Sequence, residues 1–443
     1  MAERLTARGA ITRVASAFTE LPAPEGTSAP DGPIAWQGYD EQHARAALRT
    51  GERESVVFGT GTVGDTEVVL ISFEFGFLGG SLGERTGDRL EAAYAHARER
   101  RLPVVSLIAT GGSRMQEGMR ALVQLQRVAR QSTLTRAPGL PQIAVVRDPS
   151  TGGGWATLGA GADVVLALPG AQIGFAGSRV RPADADPAAY TAEAQLAAGH
   201  VDAVVRQEEL RETLGRWLTL LTAPSDAPAH PPHALGRAEL PATGWEAVQN
   251  ARSADRPRAA GYLDAYFETR EAISGDRCGG VDPGMLCGFG LHQGRAIAYA
   301  AQCGTATLPA GYRTAARLIR LAGRLGVPVL TLIDTPGAAN DAAAEHTGAG
   351  PAIADAFAAV AAARAPVTTL VIGEGGSGGA LALASPGNTW ATPDSYFSVI
   401  APELAAAILK RGPDQTRVTA EQLRLRPQDL VDLGIARGIV PTN

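Results

Sequence analysis

An internal repeat whose period is close to half the chain length constrains this sequence more than any other feature. The segment Leu102-Pro-Val-Val-Ser-Leu-Ile-Ala-Thr-Gly-Gly112 returns 225 residues later as Val327-Pro-Val-Leu-Thr-Leu-Ile-Asp-Thr-Pro-Gly337. Each copy is an apolar run of strand length closed by glycine, the pattern of a strand buried on both faces. A helical spacing of apolar residues precedes each copy, over residues 86–100 and 311–325. A second strand and glycine turn follow: residues 142–147 lead into Thr151-Gly-Gly-Gly154, and residues 368–372 into Gly375-Gly-Ser-Gly-Gly-Ala380. Strand, glycines and helix, twice per half, predict a parallel α/β arrangement with ligand sites at the C-terminal strand ends.

The halves close alike at residues 198–205 and 432–440, and TAPSDAPAHPPHALGR lies between them. Such a Pro/Ala-rich tract predicts a linker. The expected layout is an N-terminal extension over 1–34, a first domain over 35–221, a linker over 222–240 and a second domain over 241–443.

Charge and composition exclude several functions. Forty basic against 45 acidic residues give a net charge of −5, so no basic surface recommends nucleic acid or an anionic membrane as partner. No window of 18 apolar residues occurs, and MAERLTARGAITRVASAF lacks the apolar run of a signal peptide. A cytoplasmic protein is expected. The only lysine is Lys410, no Gly-Lys-[Ser/Thr] occurs, and a Walker-type ATP site is excluded. Lys410 is predicted to lie on a helix of the second domain, and it has no flanking methionines of the kind that mark a biotin carrier. Cys278, Cys287 and Cys303 stand nine and sixteen residues apart, which suits neither a zinc ribbon nor a disulfide framework, so no metal is expected.

The glycine turns match several short motifs. Gly59-Thr-Gly-Thr-Val-Gly64 fits GxGxxG but lies between two strand-like runs and reads as a hairpin turn. Gly373-Glu-Gly-Gly-Ser-Gly378 fits it too, yet a dinucleotide site also asks for an acidic residue at the end of the next strand. Gly375-Gly-Ser-Gly-Gly379 fits GxSxG, which would make Ser377 a nucleophile, but the histidine of that order lies downstream and the last histidine here is His346. The turns read best as backbone donors, whose N–H groups stabilise an oxyanion with help from the helix dipole. One hole per half suits a reaction with two oxyanions. Close helix–strand packing is the alternative for any one turn.

At these residues the sequence resembles a known family. Phe73-Glu-Phe-Gly-Phe-Leu-Gly-Gly-Ser-Leu-Gly83, Thr110-Gly-Gly-Ser-Arg-Met-Gln-Glu117, Asp148-Pro-Ser-Thr-Gly-Gly-Gly154 and Ile173-Gly-Phe-Ala-Gly177 resemble the carboxyltransferase β subunit of bacterial acetyl-CoA carboxylase. Gly244-Trp-Glu-Ala-Val-Gln-Asn-Ala-Arg252, Pro309-Ala-Gly-Tyr-Arg313, Ile333-Asp-Thr-Pro-Gly337, Ile372-Gly-Glu-Gly-Gly-Ser-Gly-Gly-Ala380 and Ser398-Val-Ile-Ala-Pro-Glu403 resemble its α subunit. The resemblance implies two tandem crotonase-like ββα-spiral domains, the first binding acyl-CoA and the second biotin. It implies transfer of CO2 from carboxybiotin to the α-carbon of an acyl-CoA, acetyl-CoA to malonyl-CoA first among them, in fatty acid or polyketide biosynthesis. By position, Gly111, Gly112, Gly152 and Gly153 would hold the thioester oxygen, and Gly337, Gly378, Gly379 and Ala380 the ureido oxygen of biotin. Gly79, Gly80, Ser81 and Arg114 would contact the acyl-CoA. Implied partners are a biotin carboxylase and a biotin carboxyl carrier protein, with a homodimer as the assembly.

The sequence departs from the family twice. The first 50 residues contain no cysteine, so the zinc ribbon of β subunits is missing, and Ala300-Ala-Gln-Cys-Gly-Thr-Ala-Thr-Leu308 is uncharged where α subunits are rich in lysine. A thioester on an acyl carrier protein therefore stays open beside acyl-CoA. A biotin-independent malonyl-thioester decarboxylase and a hydratase or isomerase are the alternatives on this fold. The last needs a carboxylate beside the thioester, for which Glu117 is the candidate, although a solvated helix face is the expected place for it.

Overall fold

The computed structural model describes residues 5–24 and 29–442 and divides after Thr222 into two compact units. In the first unit the strands are β1 (Ala17–Glu20), β2 (Val56–Val63), β3 (Thr66–Phe73), β4 (Val104–Thr110), β5 (Gln142–Thr151), β6 (Val164–Ala167), β7 (Ile173–Gly174) and β8 (Ala203–Val204). They form one sheet in the order β1-β2-β3-β4-β5-β6-β8, with β7 also on β5. From β3 onward the pairing is parallel, while β1, β2 and β3 are antiparallel. The sheet is therefore mixed where the repeat alone predicts a parallel one, because the hairpin β2–β3 needs only a two-residue turn at Gly64-Asp65. Of the Gly59–Gly64 motif only Gly64 turns, and Gly59 and Gly61 lie inside β2, where a Cβ on Gly59 would stand 2.2 Å from the Thr19 carbonyl of β1.

The second unit repeats this plan with β9 (Thr269–Ile273), β10 (Met285–His292), β11 (Arg295–Gln302), β12 (Val329–Thr335), β13 (Val367–Gly376), β14 (Thr389–Ala391), β15 (Tyr396–Ser398) and β16 (Gly438–Ile439), in the order β16-β14-β13-β12-β11-β10-β9 with β15 on β13. Every residue of β4 and of β12 is buried. Each Val, Leu or Ile so enclosed contributes about 1.5–3 kcal/mol. Seventeen-residue helices, Glu84–Arg100 and Pro309–Leu325, cross between β3 and β4 and between β11 and β12. The second starts on a proline and ends at Gly326 with φ +70°, while the first ends at Arg101 with φ +54°.

Three segments differ from their sequence expectation. Within the stretch ahead of residue 35, the helix Ala7–Val14 packs its apolar face inward and β1 joins the sheet edge. The proline-rich tract after Thr222 holds no helix or strand but is packed: Ala229 and Ala234 are buried, and the Ala229 and His230 carbonyls accept from Thr368 Oγ1 and Tyr266 Oη. Side-chain donors thus replace the secondary structure that its prolines forbid. Lys410 lies two residues past the helix Pro402–Ile408, at φ +57°.

Candidate active site

In both units the C-terminal strand ends carry the same distortion. Ile108 pairs with Val146 and Thr110 with Ser150, and 225 residues on Ile333 pairs with Val371 and Thr335 with Gly375. Two extra residues in β5 and in β13 bend the strand end, as bulges beside sites do. The turns that follow meet backbone to backbone. In the first unit Gly112 has φ +104° and Gly152 φ +65°, and a Cβ on Gly152 would stand 3.0 Å from the Gly112 Cα. Only glycine adopts such a pair without strain. Gly79 and Gly80 lie against them, for the Gly111 N–H donates to Gly79 O at 2.8 Å and a Cβ on Gly80 would stand 2.2 Å from the Ala109 carbonyl. Leu82 N–H then donates to Gly112 O at 2.9 Å.

Gly79, Gly80, Gly111, Gly112, Gly152 and Gly153 are thus gathered in one place. The N–H groups of Gly111, Gly112 and Gly152 already donate, to Gly79 O, Thr110 Oγ1 and Phe175 O. Those of Gly153 and Gly154, in the first helical turn, have no acceptor within the helix.

Arg114 stands behind this turn and is 1% exposed. Its guanidinium donates to both Glu54 oxygens, to Ser81 Oγ at 3.1 Å, to Tyr39 Oη at 3.1 Å and to Glu117 at 3.2 Å. It faces the interior, and Ser81 joins it to the glycine segment. Glu117 is buried, against the expectation of a solvated helix face: it accepts from Tyr39 Oη at 2.7 Å and from Glu84 N–H at 2.6 Å. Burial pushes the Glu54 carboxyl up, but the Arg114 charge and hydrogen bonds outweigh it and hold the group at about 2. Burial raises the Tyr39 hydroxyl.

In the second unit Gly337 has φ +143° and faces Ser377, whose φ is +59°. Ser377 occupies the place of Gly152, a left-handed position that costs a side-chain-bearing residue about 1–2 kcal/mol. Gly378 is exposed and a Cβ on it would meet nothing within 4 Å, whereas Gly379 is wedged, its Cβ direction 2.4 Å from Ala338 N. Ala380 is fully buried. Beside the turn Asp334, 0% exposed, pairs with Arg256 at 2.8 Å and Arg258 at 3.2 Å.

Sequence reasoning missed Ser377 as a strained residue, Asp334 with its arginines, and the Tyr39–Glu54–Glu117 set. The repeat carried a signal for the first two. Ser377 breaks a glycine run at the position of Gly152, and Asp334 interrupts an apolar strand where the first copy has Ala109. A cavity of about 410 Å³ in the second unit lies between His230, His233, Tyr262, Tyr266 and His292 at the opposite end of the strands. The chemistry-bearing turns are therefore the better site. Among the described residues no three His, Cys, Asp or Glu side chains are placed to hold a metal ion, and no helix is long and apolar enough to cross a membrane.

Both halves of the chain are similar to known proteins. Residues 35–220 match the carboxyl transferase domain model, and residues 239–443 match the acetyl co-enzyme A carboxylase carboxyltransferase-like model. The acetyl-coenzyme A carboxylase carboxyl transferase subunits beta/alpha protein of Saccharopolyspora erythraea is 38% identical over 420 residues, covering 91% of this chain and 74% of that protein. A protein of Mycobacterium bovis named "Probable biotin-dependent acyl-coenzyme A carboxylase beta3 subunit" is 34% identical over 422 residues, covering 92% of this chain and 84% of its own. The crystal structure of transcarboxylase 12S, with methylmalonyl-coenzyme A and methylmalonic acid bound, superposes with a TM-score of 0.80 over 98% of this chain and 86% of that one, at 19% identity. The fold is two crotonase-like domains in tandem. With a β-type half followed by an α-type half, the chain belongs to the carboxyltransferase family of the biotin-dependent acyl-CoA carboxylases.

Proposed function

We propose that this chain moves CO2 from carboxybiotin, borne on a separate biotin carboxyl carrier protein, to the α-carbon of acetyl-CoA, giving malonyl-CoA. The observation that carries the reading is the paired turn built twice, Gly112 facing Gly152 and Gly337 facing Ser377 with Gly379, at the same bulged strand ends. Carboxybiotin, when bound, supplies the CO2 and a ureido nitrogen that takes the α-proton. In the first unit the backbone N–H of Gly153, left without an acceptor in the first helical turn, holds the thioester oxygen as negative charge gathers on it, and Gly111, Gly112 and Gly152 shape the turn that lets the oxygen approach. Gly79, Gly80 and Ser81 line the acyl-CoA side, and Arg114 acts on it through Ser81. In the second unit the Gly378 and Gly379 N–H groups, without acceptors in the first helical turn, hold the ureido oxygen, and Gly337 and Ala380 shape the turn around them. Glu117, the candidate side-chain base at the first turn, is spent on Tyr39, Arg114 and Glu84. That fits a base brought by the biotin and disfavours the hydratase reading.

Gly378→Ala tests the assignment. Its methyl group enters open space at the exposed turn, so we expect the melting temperature to stay within about 1 °C while transfer falls about 100-fold, because the methyl stands where the ureido oxygen must approach the retained N–H groups. KM for acetyl-CoA should not change. A variant with near-full transfer would remove Gly378 from the site. Valine at Gly112 or Gly379 is a poorer probe, because φ +104° at the first and Ala338 at the second force the backbone itself to move.

A further inference from the structure

The Gly379 carbonyl receives two side-chain hydrogen bonds, from Tyr312 Oη at 3.0 Å and from Gln302 Nε2 at 3.3 Å. The other amide hydrogen of Gln302 goes to Thr307 Oγ1 at 3.1 Å, and Thr307 donates in turn to Thr335 Oγ1 at 3.4 Å. Thr335 Oγ1 accepts the Gly337 N–H at 3.1 Å and bonds the Gly337 carbonyl at 2.7 Å. A single chain of neutral side chains thus joins the peptides on both sides of the second turn. All four are buried, at 0% exposure for Gln302, Thr307 and Thr335 and 1% for Tyr312.

The fold does not ask for this chain. In the first unit the same places hold Phe73 at the end of β3, Leu82 and Gly87, and only Thr110 repeats its counterpart Thr335. Leu82 and Phe73 are fully buried apolar residues, so packing alone is served without an amide. Gln302 also leaves its Oε1 buried with no partner, a cost that a purely structural residue at this position would avoid.

We propose that Gln302 and Tyr312 are positioning residues of the second site, an inference that rests on the carboxyltransferase reading above. Two donors on the Gly379 carbonyl fix the Gly379–Ala380 peptide against the Gly337 turn. Fixing that peptide also fixes the turn ahead of it, where the Gly378 and Gly379 N–H groups have no acceptor within the helix and are left for the oxygen, while the Ala380 N–H closes the helix on Gly376 O. Burial keeps the Tyr312 hydroxyl protonated and donating. Being neutral, the chain adds no charge that would favour a bound anion before the reaction begins.

Tyr312→Phe and Gln302→Leu test this in the full chain, with transfer from a carboxylated biotinyl carrier to acetyl-CoA as the assay. Each should lower kcat about tenfold, the order of one hydrogen bond, with KM for acetyl-CoA and the melting temperature nearly unchanged. The double variant should fall by less than the product of the two, because both side chains serve one carbonyl. A folded single variant with wild-type kcat would overturn the proposal, and so would losses that track melting temperature and acetyl-CoA KM together. Should Tyr312→Phe not fold, Gln302→Leu decides, since it deletes an unpaired buried acceptor. A wild-type chain unable to transfer at all would instead overturn the reading of the site on which the proposal stands.

Discussion

Glu54 and Arg114 show how much of the first site is held by charge. Both side chains are almost wholly buried, and their pairing survives desolvation only because Ser81, Tyr39 and Glu117 share the guanidinium protons. Removing Arg114 leaves the buried Glu54 carboxylate without its countercharge, at a cost of about 3–5 kcal/mol. The carboxyl is held at about 2 against its ordinary 4.5, so the folded chain binds fewer protons there than the unfolded chain. Its contribution is therefore present above about pH 4.5 and is lost as pH falls toward 2. Melting temperature followed by circular dichroism from pH 6 to pH 2 should drop across that window. Glu54→Gln should start lower and drop less over it, and a variant with the wild-type slope would exclude Glu54 as the titrating group.

At the scale of elements, the repeat made the long helices and central strands legible. Strands β4 and β12 are apolar at five and four of their seven positions, and the helices that feed them keep a clear helical spacing. Their ends were less legible, as the two matching helices show. One ends at Gly326 and the other at Arg101, both left-handed, and nothing about an arginine announces that geometry. Arg101→Gly should remove the strain and stabilise the first unit by about 0.5–1 kcal/mol, raising its melting temperature by about 2 °C. A lower melting temperature would mean that the Arg101 side chain does more than close the helix. The glycine turns were visible because a positive φ demands glycine. The polar groups behind them were not, since Glu54, Gln302 and Tyr312 reach their partners across 60, 77 and 67 residues of sequence. Only folding brings such pairs together.

The whole molecule repeats one plan and equips each copy differently, with the Glu54–Arg114 set behind the first turn and, at the second, a neutral chain through Gln302 and Tyr312 beside the Asp334–Arg256–Arg258 pairs. Each unit also leaves large apolar side chains exposed beside its turn: Met115, Met119 and Phe175 in the first, Val399, Leu404 and Ile408 in the second. Apolar surface of this kind is ordinarily covered. We expect a homodimer, which light scattering of the active enzyme checks, and an active monomer would contradict it. With one lysine and no Walker loop, the chain should do nothing with ATP, bicarbonate and acetyl-CoA alone. The most direct measurement of the central claim is a tracer experiment. A biotinyl carrier loaded with 14C-carboxylate by its own carboxylase, freed of ATP and mixed with this chain and acetyl-CoA, should pass its label into malonyl-CoA. Label that stays on the carrier or escapes as CO2, or a chain that decarboxylates malonyl-CoA with no biotin present, would contradict the account.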